Sequence, residues 1–250
     1  MEEPQGRQRQ VLIGVAAVTI IVAIVLAIVV IGGGDDDDPD TTTTSSTTTS
    51  STATTSTTLA VTSTAVPAGE VGIALYPDLR TTTRFTEPRD LVEAFATQLL
   101  GFDTDVVIGE LQQGDNRSGE IEIHPPGSSA ITTIAVRQVQ GDSWVVVAAT
   151  TDSIKLTTPV SGTRISSPQP LLGAASAFEG HVDVTLFVDG DITPAATTFV
   201  TGRGDGELGD FSGQLKFTVP AGTTHGVIVL SSPNGDDGTS TAAVAIRVKF

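Results

Sequence analysis

Apolar and polar positions follow several different patterns along this chain, and each predicts a different kind of element. Between Val11 and Ile31 lies an unbroken uncharged stretch of 21 residues in which Val, Ile, Leu and Ala fill every helical face. No amphipathic stripe forms, so a core helix of a soluble domain fits poorly. As a helix the stretch is about 31 Å long at about 1.5 Å per residue, which matches the hydrocarbon core of a bilayer. The pattern predicts a transmembrane helix over 11–31. From Thr41 to Thr58 the apolar signal vanishes, because seventeen of these eighteen residues are Thr or Ser. Such a tract has nothing to bury and cannot offset the entropy of ordering, so 32–66 reads as a disordered stalk.

A helical period returns once, between Pro88 and Leu100, where Leu91, Val92, Phe95 and Leu99 fall on one face. Thr86 and Glu87 are placed to cap this helix, Pro88 suits its first turn, and Gly101 suits the left-handed position after its end. Beyond it the period becomes two. Strands are predicted at Val106 to Leu111, Gly119 to His124, Ile131 to Val139 and Trp144 to Ala149, with turns at Gln113 to Asn116, Pro125 to Gly127 and Gln140 to Asp142. One helix on a four-stranded antiparallel meander makes 67–151 a small α+β domain.

From Ile154 onward every periodic segment is a strand. They fall at Ile154 to Thr158, Arg164 to Ser167, Leu171 to Ser176, His181 to Val188, Ala196 to Thr201, Gly213 to Val219, Gly226 to Ser231 and Ala242 to Phe250. Val182, Val184, Leu186 and Val188 share one face, as do Leu215, Phe217 and Val219. Turn chemistry separates them, as at Asp189-Gly190-Asp191 and Asn234-Gly235-Asp236. Seven or eight short strands over 152–250 predict a two-sheet sandwich.

The flanks of the apolar stretch orient it. Arg7 and Arg9 precede it and the next basic residue is Arg80. Basic residues are retained on the cytoplasmic side, so residues 1–10 form a cytoplasmic head and the chain beyond Ile31 lies outside. A cleaved signal peptide has a shorter apolar region, about 7–15 residues, ending in small residues of A-x-A type. Here the run is longer and Gly32-Gly33-Gly34-Asp35 follows it. Localisation at a membrane, single-pass, is therefore expected. For the hydroxyl-rich stalk, O-glycosylation and an unmodified flexible spacer both fit.

Charge and cysteine content narrow the partners. From Pro67 to Phe250 there are 22 acidic against 11 basic residues, a net of −11. Nucleic acid is excluded as an expected partner, since nothing offsets its phosphate charge. The absence of cysteine removes disulfides, thiol nucleophiles and cysteine-based metal sites. The folded part must be held by its apolar cores.

Several short segments of the second half, taken together, carry a resemblance: Thr158-Pro159-Val160-Ser161-Gly162, Ile165-Ser166-Ser167-Pro168, Leu172-Gly173-Ala174-Ala175, Phe178-Glu179-Gly180 and Val244-Ala245-Ile246-Arg247-Val248. Residues 154–250 resemble the immunoglobulin-like domain associated with bacterial spore germination. The resemblance implies a bacterial, extracytoplasmic, cysteine-free immunoglobulin-like sandwich; it does not imply catalysis. The anchor, stalk and acidic α+β unit look like those of actinobacterial surface proteins carrying the same domain. Within it, Gly162 and Pro168 bracket a bend where the first strand can switch sheets, Phe178 is expected to plug one end of the sandwich, and Glu179 to cap turn amides.

Chemical constellations are sparse in the sequence. His124, His181 and His225 lie in separate elements without zinc-ligand spacing. Gly141-Asp142-Ser143 is followed by Trp144 rather than glycine, and no G-x-S-x-G elbow occurs. Trp144 sits in an apolar strand and is expected in the core. Gly202 to Glu207 contains Arg-Gly-Asp, a tripeptide that a Gly/Asp-rich turn yields by chance. The carboxylate pairs and triplets Asp189/Asp191, Asp205/Glu207/Asp210 and Asp236/Asp237 lack the calcium-loop pattern and read as polar turns. No catalytic, cofactor-binding or metal residue is assigned. Two function classes follow. One is a binding or scaffolding module of the envelope, recognising an envelope protein or a wall glycan through sheet edges and loops. The other is an accessory enzyme of wall metabolism with a site in the α+β unit, for which Glu120 and Glu122 are the carboxylates to test.

Overall fold

The computed structural model describes residues 68–250, so the predicted cytoplasmic head, membrane span and stalk lie outside the described residues. Among the described residues no helix is long and apolar enough to cross a membrane. The architecture is mostly antiparallel β with short helices. Helix α1 spans Ala68–Ile73, which sequence reading did not anticipate, and α2 spans Pro88–Phe95. The predicted continuation to Leu100 is present as a π-helical turn, Ala96–Leu100, closed by Gly101 at φ 77°. That left-handed conformation is open to glycine without steric cost. Pro88 occupies the first turn as expected, but Glu87 makes no side-chain capping bond.

Twelve strands follow: β1 Val107–Ile108, β2 Gln112–Asp115, β3 Ser118–His124, β4 Thr132–Gln138, β5 Trp144–Thr151, β6 Ile154–Thr158, β7 Gln169–Ala175, β8 His181–Val188, β9 Ala196–Thr201, β10 Gly209–Leu215, β11 His225–Pro233 and β12 Ser240–Lys249. The predicted strand Val106 to Leu111 is only two residues long, and the expected turn at Gln113 to Asn116 begins with a strand, β2, on β3. The predicted strand Arg164 to Ser167 is reduced to a single bridge from Arg164 to Lys249. Gly162 at φ 81° makes the bend that carries the chain from β6 in one sheet to that bridge in the other. The strand predicted at 213–219 ends at Leu215, although Phe217 and Val219 still pack on the core.

Two sheets result. Strands β10, β7 and β6 form the smaller one; the larger runs β1-β3-β4-β5-β12-β11-β8-β9, with β2 added on β3. The sandwich thus has seven strands, three against four. Its core holds Ile154, Leu171, Val184, Leu186, Leu215, Ile228 and Leu230. The meander β3-β4-β5 joins the sandwich through the pairing of Ala149 with Ala245, and the larger sheet is continuous across that junction.

That continuity decides how the core divides. On the opposite face of β11 and β12 from the sandwich core, Val227, Val229, Ala243 and Ala245 pack in one cluster with Leu91, Val92 and Phe95 of α2 and Ile121, Ile134 and Val146 of the meander. The central strands are buried on both faces, which is why Val227 to Leu230 and Ala242 to Ala245 read as continuous apolar runs rather than alternating ones.

Candidate binding surface

Strands β8, β11 and β12 run the length of the sandwich, so each loop can be placed at one of its two ends. At one end an ion-pair clamp holds the segment by which the chain enters the fold. Arg247, on β12, donates to both carboxylate oxygens of Asp189, at 2.5 and 2.6 Å, and to the Val71 carbonyl at 3.0 Å. Arg80 bonds Asp189 at 3.0 Å and Asp78 at 2.9 and 3.1 Å. The Asp189 and Arg247 side chains are 3% and 4% exposed. Burial raises the Asp78 carboxyl, but the hydrogen bonds and charge of Arg80, with the charge of Arg247, more than offset it and hold Asp78 below its usual range. The sequence places Asp189 with Asp191 in one polar turn. The structure separates the two: Asp191 caps the Thr193 amide at 2.8 Å, while Asp189 faces two arginines.

The opposite end presents the Gly202 to Glu207 loop, the Phe178 turn and the hairpin tip at Asn234 to Gly238. Backbone bonds tie the first two together: Arg203 N–H donates to Ala175 O at 2.9 Å, and Gly202 N–H to Gly180 O at 2.8 Å. Arg203 folds back onto Asp205 and lies 3.2 Å from Glu207, so the Arg-Gly-Asp side chains pair with each other instead of projecting. The bond from Arg203 lowers the Asp205 carboxyl.

Phe178 is not the expected plug. It is 61% exposed, and its ring covers Gly235 at the hairpin tip, where an added Cβ would lie 2.5 Å from it. The buried residue is its neighbour Ala177, and the chain turns just after the ring, with Glu179 at φ 53°. Nor does Glu179 cap the turn: the Gly180 amide bonds Ala177 O at 2.8 Å, and Glu179 is exposed.

The histidines stay apart. His124 bonds Pro125 O, His225 bonds Thr224, and His181 Nε2 lies 2.9 Å from Asp183 Oδ1 with its ring stacked on Phe199. Among the described residues no three His, Asp or Glu side chains approach closely enough to hold a metal ion. In the α+β unit Phe95 is fully buried and Trp144 packs half-buried on the same core. Tyr76 lies 5.9 Å from Phe95, ring to ring, and burial raises its phenol. Glu120 and Glu122 alternate with buried Ile121 and Ile123, and so occupy the other face of β3.

One concavity lies outside all of these expectations. A groove of about 390 Å³ separates the π-helical turn from the outer face of β8, with Gln98, Asp183, Thr185, Ser231, Ser240 and Ile192 on its walls. Its signal was present in the polar half of the β8 alternation, His181, Asp183 and Thr185, of which only the apolar half predicts core.

Seven strands in two facing sheets, one of them exchanging partners at Gly162, define an immunoglobulin-like sandwich. Residues 153–239 match the family profile of the immunoglobulin-like domain of bacterial spore germination, in agreement with the motifs between Thr158 and Gly180. No curated protein and no solved structure matches the chain.

Proposed function

We propose that this protein is a binding or scaffolding module of the bacterial cell envelope, anchored through residues 11–31 with its N-terminus cytoplasmic and its folded part outside. One observation carries the reading: the chain enters the fold at Val71, clamped at one end of the sandwich, and the Phe178 turn, the Gly202 to Glu207 loop and the 234–238 hairpin lie at the other. Along the eight residues of β8 the ends are about 26 Å apart, at about 3.3 Å per residue. A tethered domain so built offers its loops away from its attachment, and loops on a rigid scaffold are where binding residues concentrate. The filled interior of the α+β unit supports the same reading, since Phe95 and Trp144 occupy the space an active-site pocket needs.

The test incubates the full-length chain, in non-ionic detergent, with purified wall sacculi and with envelope proteins while turnover of wall material is followed. Saturable binding without turnover is the expected result. Cleavage of wall material that is lost on Glu120→Gln or Glu122→Gln overturns the proposal in favour of an accessory wall enzyme. Protease added to wall-stripped cells checks the topology, and protection of the folded part inside the cell overturns the orientation.

A further inference from the structure

The larger sheet ends at β9, and this edge lacks most of the usual guards. Natural edges are protected by charged residues, proline, bulges or a covering segment. Ala196-Thr197-Thr198-Phe199-Val200-Thr201 contains no charge and no proline, and it pairs with β8 over six consecutive positions without a bulge. β10 belongs to the other sheet and shares no ladder with β9, but it packs closely against it: a Cβ added at Gly213 would lie 2.7 Å from Val200 Cγ1 and 3.9 Å from Phe199 O.

The direction of the free backbone groups follows from two bonds. Gly202 N–H donates to Gly180 O at 2.8 Å, and Asp189 N–H donates to His225 O at 3.2 Å. In an antiparallel ladder successive residues bond alternately to one side and the other. Both bonds set the same phase, in which Thr198 and Val200 bond β8 while Thr197, Phe199 and Thr201 turn their N–H and C=O toward the open edge.

The side chains of those three residues stand on the same face as the residues they oppose, Thr185, Asp183 and His181. That face continues into the groove under the π-helical turn. Asp183 is the only ionisable residue of the groove lining, which contains no lysine or arginine. Asp191 and Asp237 each adjoin a lining residue, Ile192 and Gly238. Phe199 and Ile192, 60% and 57% exposed, give apolar contact beside them.

Resting on the binding-module reading, we infer that β9 takes up an extended peptide segment rich in lysine or arginine as an additional strand, with alternate side chains directed over Phe199 toward Asp183. The open amides and carbonyls supply main-chain bonds that any extended partner can make, and the acidic groove selects a basic one. An added strand lies about 4.8 Å from β9, so its groove-facing residues are about 10 Å from β8, a distance a long basic side chain crosses to reach a carboxylate. His181 holds one oxygen of Asp183, and the other is available to the partner.

The probe is a short synthetic peptide of alternating lysine and threonine, blocked at both ends, added to the full-length chain in non-ionic detergent. Amide exchange over 196–201 is the readout. Exchange there should slow about tenfold at saturation, and the effect should weaken as salt rises. Asp183→Asn should reduce affinity about tenfold, and Thr197→Pro should abolish protection because it removes an outward N–H without breaking a bond to β8. Should Thr197→Pro fail to fold, Asp183→Asn still decides. Equal protection by an alternating glutamate and threonine peptide overturns the charge argument. Absence of protection while the chain still binds sacculi or envelope proteins overturns the edge inference alone; absence of both overturns the binding module as well.

Discussion

Replacing Asp189 with asparagine isolates a buried guanidinium and so measures what holds the entering segment to the sandwich. The two side chains of the Asp189 and Arg247 pair are 3% and 4% exposed, which places the pair in the regime where removing one partner costs about 3–5 kcal/mol. Arg80, 47% exposed, adds little by comparison, about 0.2–1 kcal/mol for an exposed pair. Arg247 Nε already lacks a hydrogen-bond partner, so the guanidinium has no spare bond to fall back on. For a domain of this size 1 kcal/mol corresponds to about 2–4 °C, and the thermal midpoint should fall by about 6–20 °C. Calorimetry or circular dichroism of the full-length chain in detergent measures it. The paired replacement Asp189→Leu with Arg247→Met removes both charges and should recover most of the loss, since apolar substitutes for a buried pair are often neutral. A single replacement that shifts the midpoint by less than about 2 °C refutes the reasoning, because it means that water already reaches Arg247. So does a double replacement as damaging as the sum of the singles.

Phe178→Ala should cost less than about 1 kcal/mol, far below the 3–5 kcal/mol of a buried phenylalanine, and denaturant unfolding checks it. Gly173→Ala should instead destabilise strongly, because an added Cβ would lie 2.2 Å from Lys155 O and 2.5 Å from the Phe211 ring; the same unfolding measurement applies. Acid should act in two windows. Burial, then the charges of Arg247 and its basic neighbours, lowers His225, so its contribution is present above about pH 6.5 and lost as pH falls through its folded value. Asp78, also lowered, contributes above about pH 3.9 and loses its contribution below that; thermal midpoints against pH, with His225→Asn removing the upper window, test both. A chain cut to 152–250 keeps the sandwich ladders but uncovers Phe187, Val227, Val229, Ala243 and Ala245, and should bind a hydrophobic dye that the intact chain does not.

The legible parts of this fold are those whose signal is local. Strands β6 and β8 have the limits their alternation predicts, and the glycine at 101 ends the helical region as its conformation requires. Phe178 shows how little separates a correct turn from a wrong side chain: the turn is there, with a positive φ at Glu179, but Ala177 lies inside and the ring outside. The double-sided burial of β11 and β12 had a signal in the unbroken run Val227 to Leu230, yet an apolar run does not say what lies on its second face. The clamp had almost none. An arginine within Val244 to Val248 is conspicuous, but its partners lie 58 residues away at Asp189 and 176 residues away at Val71, and only the fold brings them together.

The clamp's position also fixes how the molecule bears tension. Under the proposed function, a partner bound at the Gly202 to Glu207 end or along β9 would pull against the segment that enters beside Val71, so force would travel lengthwise along β8, β11 and β12. Ladder hydrogen bonds stand perpendicular to the strands, and a lengthwise pull loads many of them at once in shear instead of opening them one after another from an end. The first elements to meet that force are the salt links of Arg247 and Arg80, which join the leading segment to the far strands before any sheet is strained. In the proposed arrangement, with a partner at one end and an anchor leading into the other, the fold is thereby fastened at the point where it would otherwise begin to peel.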